Sequence, residues 1–430
     1  MAAMQGWRLR MEDAHLALPD FDPERCLGLF GVFDGHGGAA VAKVSAARLP
    51  GVLRKQPDFA AGRFPEALHK TFMEIDEYLY SPAGRKEVAA LASAHPPSEA
   101  EAEDDEEDDD DEAFMFGAEE DEEEEEEEED DEDDDDNLMV VNDDQPSTYH
   151  LWVSGDGPDC MGTTAVVALV RFGEGAELWV ANAGDSRCVL SQGERVVALS
   201  RDHKPTLQVE RTRIKKAGGF ITDVEMGGRV DGNLSLSRAF GDFAYKSNSK
   251  LKPNEQRIIC EPEISHRRVR ENDRLLVLGC DGIWEKASSQ FVVKFLLRRL
   301  GYANVGRQGL KKPKATSISA ACAAFLDTNL ARHPAANMGL GCDNMTLMAV
   351  DLQAAASGSQ AEGVSPADVV AIAKPDPIVA KEAPRSSTKA MVRRKIGKAT
   401  VRGMRSPALR RRILLVRQRW RRTQHHGATC

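Results

Sequence analysis

The chain has 430 residues, 41% of them apolar and 29% charged, enough apolar material for a sizeable core, and a formal charge of −14. No apolar run approaches the ~20 residues of a membrane helix, and no signal-peptide core follows the N-terminus. The eight cysteines are scattered without a CxxC pair, which fits a reducing compartment, nucleus or cytoplasm.

The charge is unevenly placed. About 30 of the 70 acidic residues fall between Glu99 and Asp136, and beyond Ala373 about 17 basic residues face 2 acidic ones. A near-neutral domain therefore carries an acidic insertion and a basic tail.

In chain order, residues 7–13 read as extended, so period-2 alternation puts Arg8 and Glu12 on one face and turns Asp13 to the other. Residues 26–33 form a short apolar run between turn residues, a buried strand that ends at Asp34. Gly35 lets the backbone approach an ion, so its carbonyl is a candidate ligand, and Gly37-Gly38 open the turn into an apolar helix. Leu68, Phe72, Ile75 and Leu79 have helical spacing over 65–78. The acidic runs 103–112 and 119–136, separated by Phe114-Met115-Phe116, bury too little apolar surface to offset chain entropy. After this insertion come a strand over 163–170 and a hairpin signal at Gly184-Asp185, between 178–181 and 188–190. A helix over 207–217 stops at Gly218-Gly219. The strand 275–280 ends at Asp281, helices are predicted over 290–300 and 318–330, and a last strand, 345–350, follows Asp343.

Asp34, Asp281 and Asp343 thus sit at strand ends, each beside glycine or asparagine. Such dipeptides are also ordinary turn formers. Gathered at one sheet edge, however, three carboxylates repel one another and are costly to desolvate unless cations neutralise them. An all-oxygen donor set favours Mg²⁺ or Mn²⁺ over zinc. Cys280 and Cys342 precede two of the aspartates, but soft thiolates suit hard ions poorly, so both read as packing residues.

Seven motifs follow one another in the chain: Trp7-Arg8 with Met11-Glu12-Asp13, Asp34-Gly35-His36-Gly37-Gly38, Gly162-Thr163-Thr164-Ala165, Ala183-Gly184-Asp185-Ser186-Arg187, Leu236-Ser237-Arg238-Ala239-Phe240-Gly241-Asp242, Asp281-Gly282-Ile283-Trp284 and Asp343-Asn344. Over residues 4–352, the insertion apart, the chain resembles the metal-dependent serine/threonine protein phosphatases, the PPM or type 2C family, and within it the gamma-type enzyme with an acidic insertion. The resemblance implies an α+β fold, a four-layer α/β/β/α sandwich of two mainly antiparallel sheets with the metals at one end. The phosphatase domain would be split into 1–98 and 157–352, around an acidic insertion at 99–156 and before a basic tail at 353–430.

It also implies two Mg²⁺ or Mn²⁺ ions per subunit, with a weaker third, activating water for phosphomonoester hydrolysis. Asp34 would bridge the pair, the Gly35 carbonyl would bind one ion, and Asp281 with Asp343 would hold the other. Glu12 would orient metal-bound water, Asp13 would be its second partner, and Asp185 would hold the third ion. Arg8 is the expected phosphate clamp, its planar fork matching phosphate oxygens. His36 is the expected proton donor to the leaving oxygen. Thr164 is expected near the site as a hydroxyl contact, and Arg238 and Asp242 fall in a flap over 230–245 that shapes substrate choice or holds a buried salt bridge.

The chain departs from the family pattern at two places. Glu285 stands after Trp284 where many relatives carry aspartate or asparagine, which bears on the third ion. Relatives also carry a further strand before Gln5-Gly6-Trp7; here only Met1 to Met4 precede it, so an open sheet edge and reduced stability are expected.

The expected partners are phosphorylated proteins, basic nuclear proteins drawn to the insertion, and nucleic acid along the tail, which reads equally as a nuclear address or as a partner for the chain's own acidic insertion. The chain is expected to be monomeric. A catalytically idle phosphatase fold that binds basic partners through its insertion is the competing reading; the presence of Asp34, Asp281 and Asp343 favours hydrolysis.

Overall fold

Runs such as Leu27–Phe33 and Ala165–Arg171 carry no polar face because their alternating side chains enter two different buried environments. The computed structural model describes residues 1–93, 157–222, 227–302, 316–334 and 339–353. The expectations for the acidic insertion and for the tail beyond residue 353 lie outside these residues. The fold is mixed α+β, built on two five-stranded antiparallel sheets.

One sheet runs in the order β1 (Ala2–Met4), β15 (Met345–Asp351), β14 (Asp273–Gly279), β8 (Arg187–Gln192) and β9 (Arg195–Ala198). The other runs β13 (Glu263–Arg268), β7 (Glu177–Ala183), β6 (Ala165–Arg171), β3 (Leu27–Phe33) and β2 (Ala14–Asp22). The short strands β4 (Gly35–His36), β5 (Gly162–Thr163) and β12 (Phe240–Gly241) form a third sheet, and β10 (Ile221–Thr222) pairs with β11 (Arg229–Val230).

The period of two decides the packing. Phe30, Val32, Val166, Ala168, Val170, Leu178 and Val180 share a core with β8, β14, β15 and the helices Ser289–Arg299 and Ile318–Asn329. The alternate set, Leu29, Phe33, Val167, Leu169, Trp179 and Ala181, packs with the helices Ala40–Lys55 and Phe64–Tyr80. Each fully buried leucine on these strands contributes about 2 kcal/mol of burial. No helix among the described residues is long and apolar enough to cross a membrane.

Four sequence expectations need correction or addition. Gly184-Asp185 does not close a hairpin: β7 pairs with β6 and β13, whereas β8 pairs with β14 and β9, so the turn crosses from one sheet to the other. β7 is buried throughout and β8 at its four central residues, so no polar face tells which sheet each one joins. Residues 7–13 are not one extended strand either, since turn and bends occupy 6–10 and β2 starts at Ala14. The sheet edge expected to be open is partly covered, with Ala2↔Leu347, Ala3↔Thr346 and Met4↔Met345 in register. Finally, a helix at Pro82–Ser93 precedes the insertion. Pro82 at its first turn and Ser81 Oγ, which accepts from Gly84 N–H at 3.1 Å, start it, but it buries only Gly84 and Val88 and so has almost no apolar period to read.

The helix Gln208–Lys216 carries Glu210, which is fully buried. Arg238 Nη2 donates to Glu210 Oε1 at 2.5 Å, Arg213 Nη1 to Oε2 at 2.5 Å, and Ser237 Oγ to Oε2 at 2.8 Å. Arg238 therefore occupies a buried ion pair. Burial alone would raise the Glu210 carboxyl, but the Arg238 and Arg213 guanidiniums override it and hold it down at about 2, against an ordinary 4.5. Because the folded value lies below the unfolded one, the stabilisation is complete above pH 4.5 and is lost as the pH falls through 2. Glu210→Gln should therefore lower stability at pH 7 by about 3–5 kcal/mol, as breaking a buried pair does. Urea unfolding across pH should show the gap between parent and variant closing in acid.

Candidate metal centre

Five strand or helix ends converge at one end of the two sheets. Asp34 follows β3, Asp281 opens the short helix Asp281–Trp284 after β14, Asp343 precedes β15, Asp185 sits on the crossing from β7 to β8, and Glu12-Asp13 lead into β2. The main chain around Asp34 is pinned: its N–H donates to Thr164 Oγ1 at 3.2 Å, and its carbonyl accepts from Thr164 N–H at 2.9 Å and Thr163 Oγ1 at 3.0 Å. Thr164 Oγ1 also lies 2.7 Å from Ser186 Oγ, tying the Asp34 turn to the sheet crossing. Asp281 N–H points at Asp34 Oδ2, 3.4 Å away. The backbones come this close because position 35 is glycine; a Cβ there would stand 2.5 Å from the Glu12 carbonyl oxygen.

The N-terminal loop is held by a residue 332 positions beyond Glu12. Asn344 Oδ1 accepts from Glu12 N–H at 2.7 Å, and its Nδ2 donates to the carbonyls of Gln5 and Arg10, both at 2.8 Å. Trp7 adds two bonds, N–H to the Cys342 carbonyl and Nε1–H to the Ala331 carbonyl, each 2.8 Å. This loop, rather than strand alternation, brings Arg8 and Glu12 to the same cavity. It also reverses the expectation for Asp13, which points inward: Asp13, Asp34 and Cys280 each offer an atom within 4.8 Å of the others.

The cavity measures about 390 Å³ and is lined by Arg8, Leu9, Arg10, Glu12, Asp34, Gly35, His36, Gly37, Asp185, Leu234, Ser235, Leu236, Asp281, Asp343 and Asn344. Arg8 lies at its rim, its side chain 64% exposed and its Nη2 donating to Asp343 Oδ2 at 2.7 Å. Lys204 Nζ donates to Asp185 Oδ2 at 2.5 Å. Burial alone would lower that ammonium, but Asp185 raises it, with Asp281 and Glu285 adding to the effect.

Electrostatics supply the test of fit for a metal. Burial raises the Asp34 carboxyl well above the usual carboxylate range, and the charges of Asp281, Asp13 and Asp185 raise it further. Asp281 is pushed up to about 8, by burial and then by Asp185 and Glu285. Asp13 rises to about 6 through burial, with the hydrogen bond from Thr346 pulling it back. The protein thus concentrates more negative charge than its own cations offset. Asp13 Oδ1 and Asp185 Oδ1 are in addition buried with no hydrogen-bond partner, although Thr346 Oγ1 satisfies Asp13 Oδ2 at 2.6 Å. An all-oxygen group with orphaned carboxylate oxygens fits hard divalent cations. Cys280 does not join it as a ligand: burial drives its thiol far up, and the neutral group accepts from Thr346 N–H at 3.1 Å and lies 3.5 Å from the Asn344 carbonyl.

His36 stands on the cavity wall with Nε2 at 2.8 Å from Asp242 Oδ2 and 3.0 Å from Oδ1. Burial would lower its imidazole, but the Asp242 carboxylate prevails and raises it. A side chain at Gly162 would strike both partners, which is why glycine sits between them. Lys204 and the pegging role of Asn344 were not foreseen. Asn344 lay inside a quoted motif but looked like a turn residue, and nothing in the spacing around Lys204 marks it.

A family model described as protein phosphatase 2C matches residues 1–95 and 84–323. Similar proteins include the probable protein phosphatase 2C 58 of Oryza sativa subsp. japonica, 37% identical over 374 residues that cover 86% of this chain and 86% of that protein. The probable protein phosphatase 2C 60 of Arabidopsis thaliana is 35% identical over 377 residues, 84% of this chain and 90% of that one. Among solved structures, a phosphatase from a pathogenic strain of Toxoplasma gondii shares the fold, with a TM-score of 0.51 at 20% identity over 81% of this chain and 90% of that one.

Charge crowding at Asp34 makes a prediction in two opposite directions. In excess chelator, Asp34→Asn should raise the melting temperature by ~2–4 °C, because it relieves repulsion on the order of 1 kcal/mol. With added Mn²⁺ the parent should gain stability by ligand linkage and the variant should not. Thermal scans with and without the ion, together with calorimetric Mn²⁺ uptake, check both directions.

Proposed function

We infer the chemistry of this site from its family: the chain belongs to the protein phosphatase 2C family and is a protein serine/threonine phosphatase, with the divalent-metal dependence that the family implies. We propose that it hydrolyses phosphoserine and phosphothreonine in proteins at the carboxylate-lined cavity. The observation that carries this reading is the cluster of Asp13, Asp34, Asp281 and Asp343, too negative for its own cations, beside a cavity wall that holds His36, itself paired with Asp242. The sheets and flanking helices read as a four-layer α/β/β/α sandwich with this cluster at one end.

Asp34, the Gly35 carbonyl, Asp281 and Asp343 are the groups that would hold two Mg²⁺ or Mn²⁺ ions, with Glu12 and Asp13 as acids behind them. When bound, the pair supplies a water of lowered pKa and positive charge to set against the phosphoryl group. Asp185 is a poorer host for a third ion in this chain, since Lys204 already holds Oδ2 and Glu285 stands where the family pattern has a shorter or neutral residue.

The chain's own groups do the rest. Arg8 places a guanidinium at the rim, where a dianionic phosphate enters and two oxygens match its fork. The attacking water's oxygen bonds to phosphorus as the bond from phosphorus to the serine or threonine oxygen breaks; one of the water's protons stays on the phosphate product and the other is released to solvent, from which His36 regains the proton it gives. The departing oxygen takes the electron pair and needs a proton. His36 supplies it: Asp242 accepts the Nε2 proton and stabilises the imidazolium, leaving Nδ1 as the atom that can give. Leu9 and Leu234 line the same cavity and give the substrate chain an apolar contact. The acidic insertion attracts basic phosphoproteins, and the basic tail serves as a nuclear address.

Hydrolysis of p-nitrophenyl phosphate should require Mn²⁺ or Mg²⁺ and cease in excess chelator. His36→Ala should slow turnover of a phosphoserine peptide by ~10²–10⁴-fold, the range of a lost general acid, and should slow the aryl phosphate by about 10-fold or less, because phenolate leaves without protonation. Equal losses on both substrates would remove His36 from this role, and activity undiminished by chelator would overturn the metal reading.

A further inference from the structure

The helix Ser289–Arg299 contributes Val292, Val293, Leu296 and Leu297 to the core and so has already paid its share of burial. Its other apolar residues are surplus. Phe291 is 51% exposed and lies beside Phe295, and both rings meet Phe325, at centroid distances of 6.2 and 5.3 Å. Spaced four apart on a helix, Phe291 and Phe295 form one stripe. Together with Lys294, Arg298 and Arg299 they line a groove of about 430 Å³, with the Arg299 guanidinium 5.3 Å over the Phe295 ring. A half-exposed phenylalanine forgoes part of its burial, and an apolar floor with a cationic rim selects an aromatic segment bordered by acids.

This chain contains such a segment. Phe114-Met115-Phe116 stands between the unbroken acidic runs 103–112 and 119–136. The tail's apolar stretch, Ile413-Leu414-Leu415-Val416, lies among arginines and would bring like charge to the rim. Reach is not limiting. About 20 residues separate Ser93 from Phe114, a contour of ~70 Å at ~3.5 Å per residue, whereas a domain of this size has a radius of gyration of about 19 Å.

We propose that Phe114-Met115-Phe116 docks in cis on Phe291 and Phe295, its acidic neighbours meeting Lys294, Arg298 and Arg299. The covalent link makes the encounter intramolecular, at effective concentrations of ~mM, so a weak contact suffices. Such docking would pin the middle of the insertion to the catalytic domain and leave acidic stretches on both sides free for basic partners.

The test is site-specific photo-crosslinking in the full chain, with benzoylphenylalanine in place of Phe291 and digestion followed by mass spectrometry. The expected product is an intramolecular crosslink to residues 113–117. Its yield should fall at least tenfold when Phe114, Met115 and Phe116 are all changed to serine, and should also fall in 1 M NaCl. Turnover of p-nitrophenyl phosphate by the triple-serine chain should match the parent, which shows that the variant is folded. Crosslinks between two copies, crosslinks to the tail, a product insensitive to the triple change, or no product at all would each overturn the proposal.

Discussion

Asp13, Asp34, Asp281 and Asp343 are held close together where the protein supplies too few cations to balance them, and this electrostatic debt shapes one end of the two sheets. Carboxylates forced up to about 6 and about 8 by burial and by one another describe an assembly that is unfavourable alone. It persists because the surrounding structure over-determines each position. Thr163 and Thr164 clamp the Asp34 main chain, Thr346 takes one oxygen of Asp13, and Arg8 and Lys204 partly offset Asp343 and Asp185. Stability is lent to the site by the core behind it, where alternate faces of β3, β6 and β7 are buried against different neighbours.

The same architecture explains why a polar centre can sit at the end of apolar strands. A strand buried on both faces has no surface for a charged group along its length, so chemistry collects where strands stop and the chain turns. Asp34, Asp185, Asp281 and Asp343 each occupy such a stop. The crossing at Gly184-Asp185 matters most here, because a local hairpin would have kept Asp185 within one sheet, whereas the crossing carries it between the two.

Much of this was legible in the residues. Short apolar runs with turn residues at their ends marked β3, β14 and β15, and the spacing of Leu68, Phe72 and Ile75 marked the helix that spans Phe64–Tyr80. What stayed hidden depended on contacts between distant parts of the chain. Nothing local tells that residues 7–13 form a loop pegged by Asn344, since alternation is a statement about neighbours and the peg is supplied from 332 positions away. Lys204 was invisible for the same reason, and Gly184-Asp185 reads as a hairpin because two strands with buried, apolar centres look alike whichever sheet they join. Pro82–Ser93 escaped notice because a helix lying on the surface with two buried residues has almost no apolar period.

The Asn344 peg also gives the domain a temporal order. Translation delivers Gln5, Arg8 and Glu12 long before Asn344, and the edge strand β1 waits equally long for β15. Contacts of such separation are the slowest to form, and a chain made from its N-terminus can close this loop only when nearly the whole domain has left the ribosome. The nascent polypeptide therefore lacks the peg on its N-terminal loop until Asn344 has emerged, and the cavity that Arg8 and Glu12 line is completed late, with only the tail still to follow.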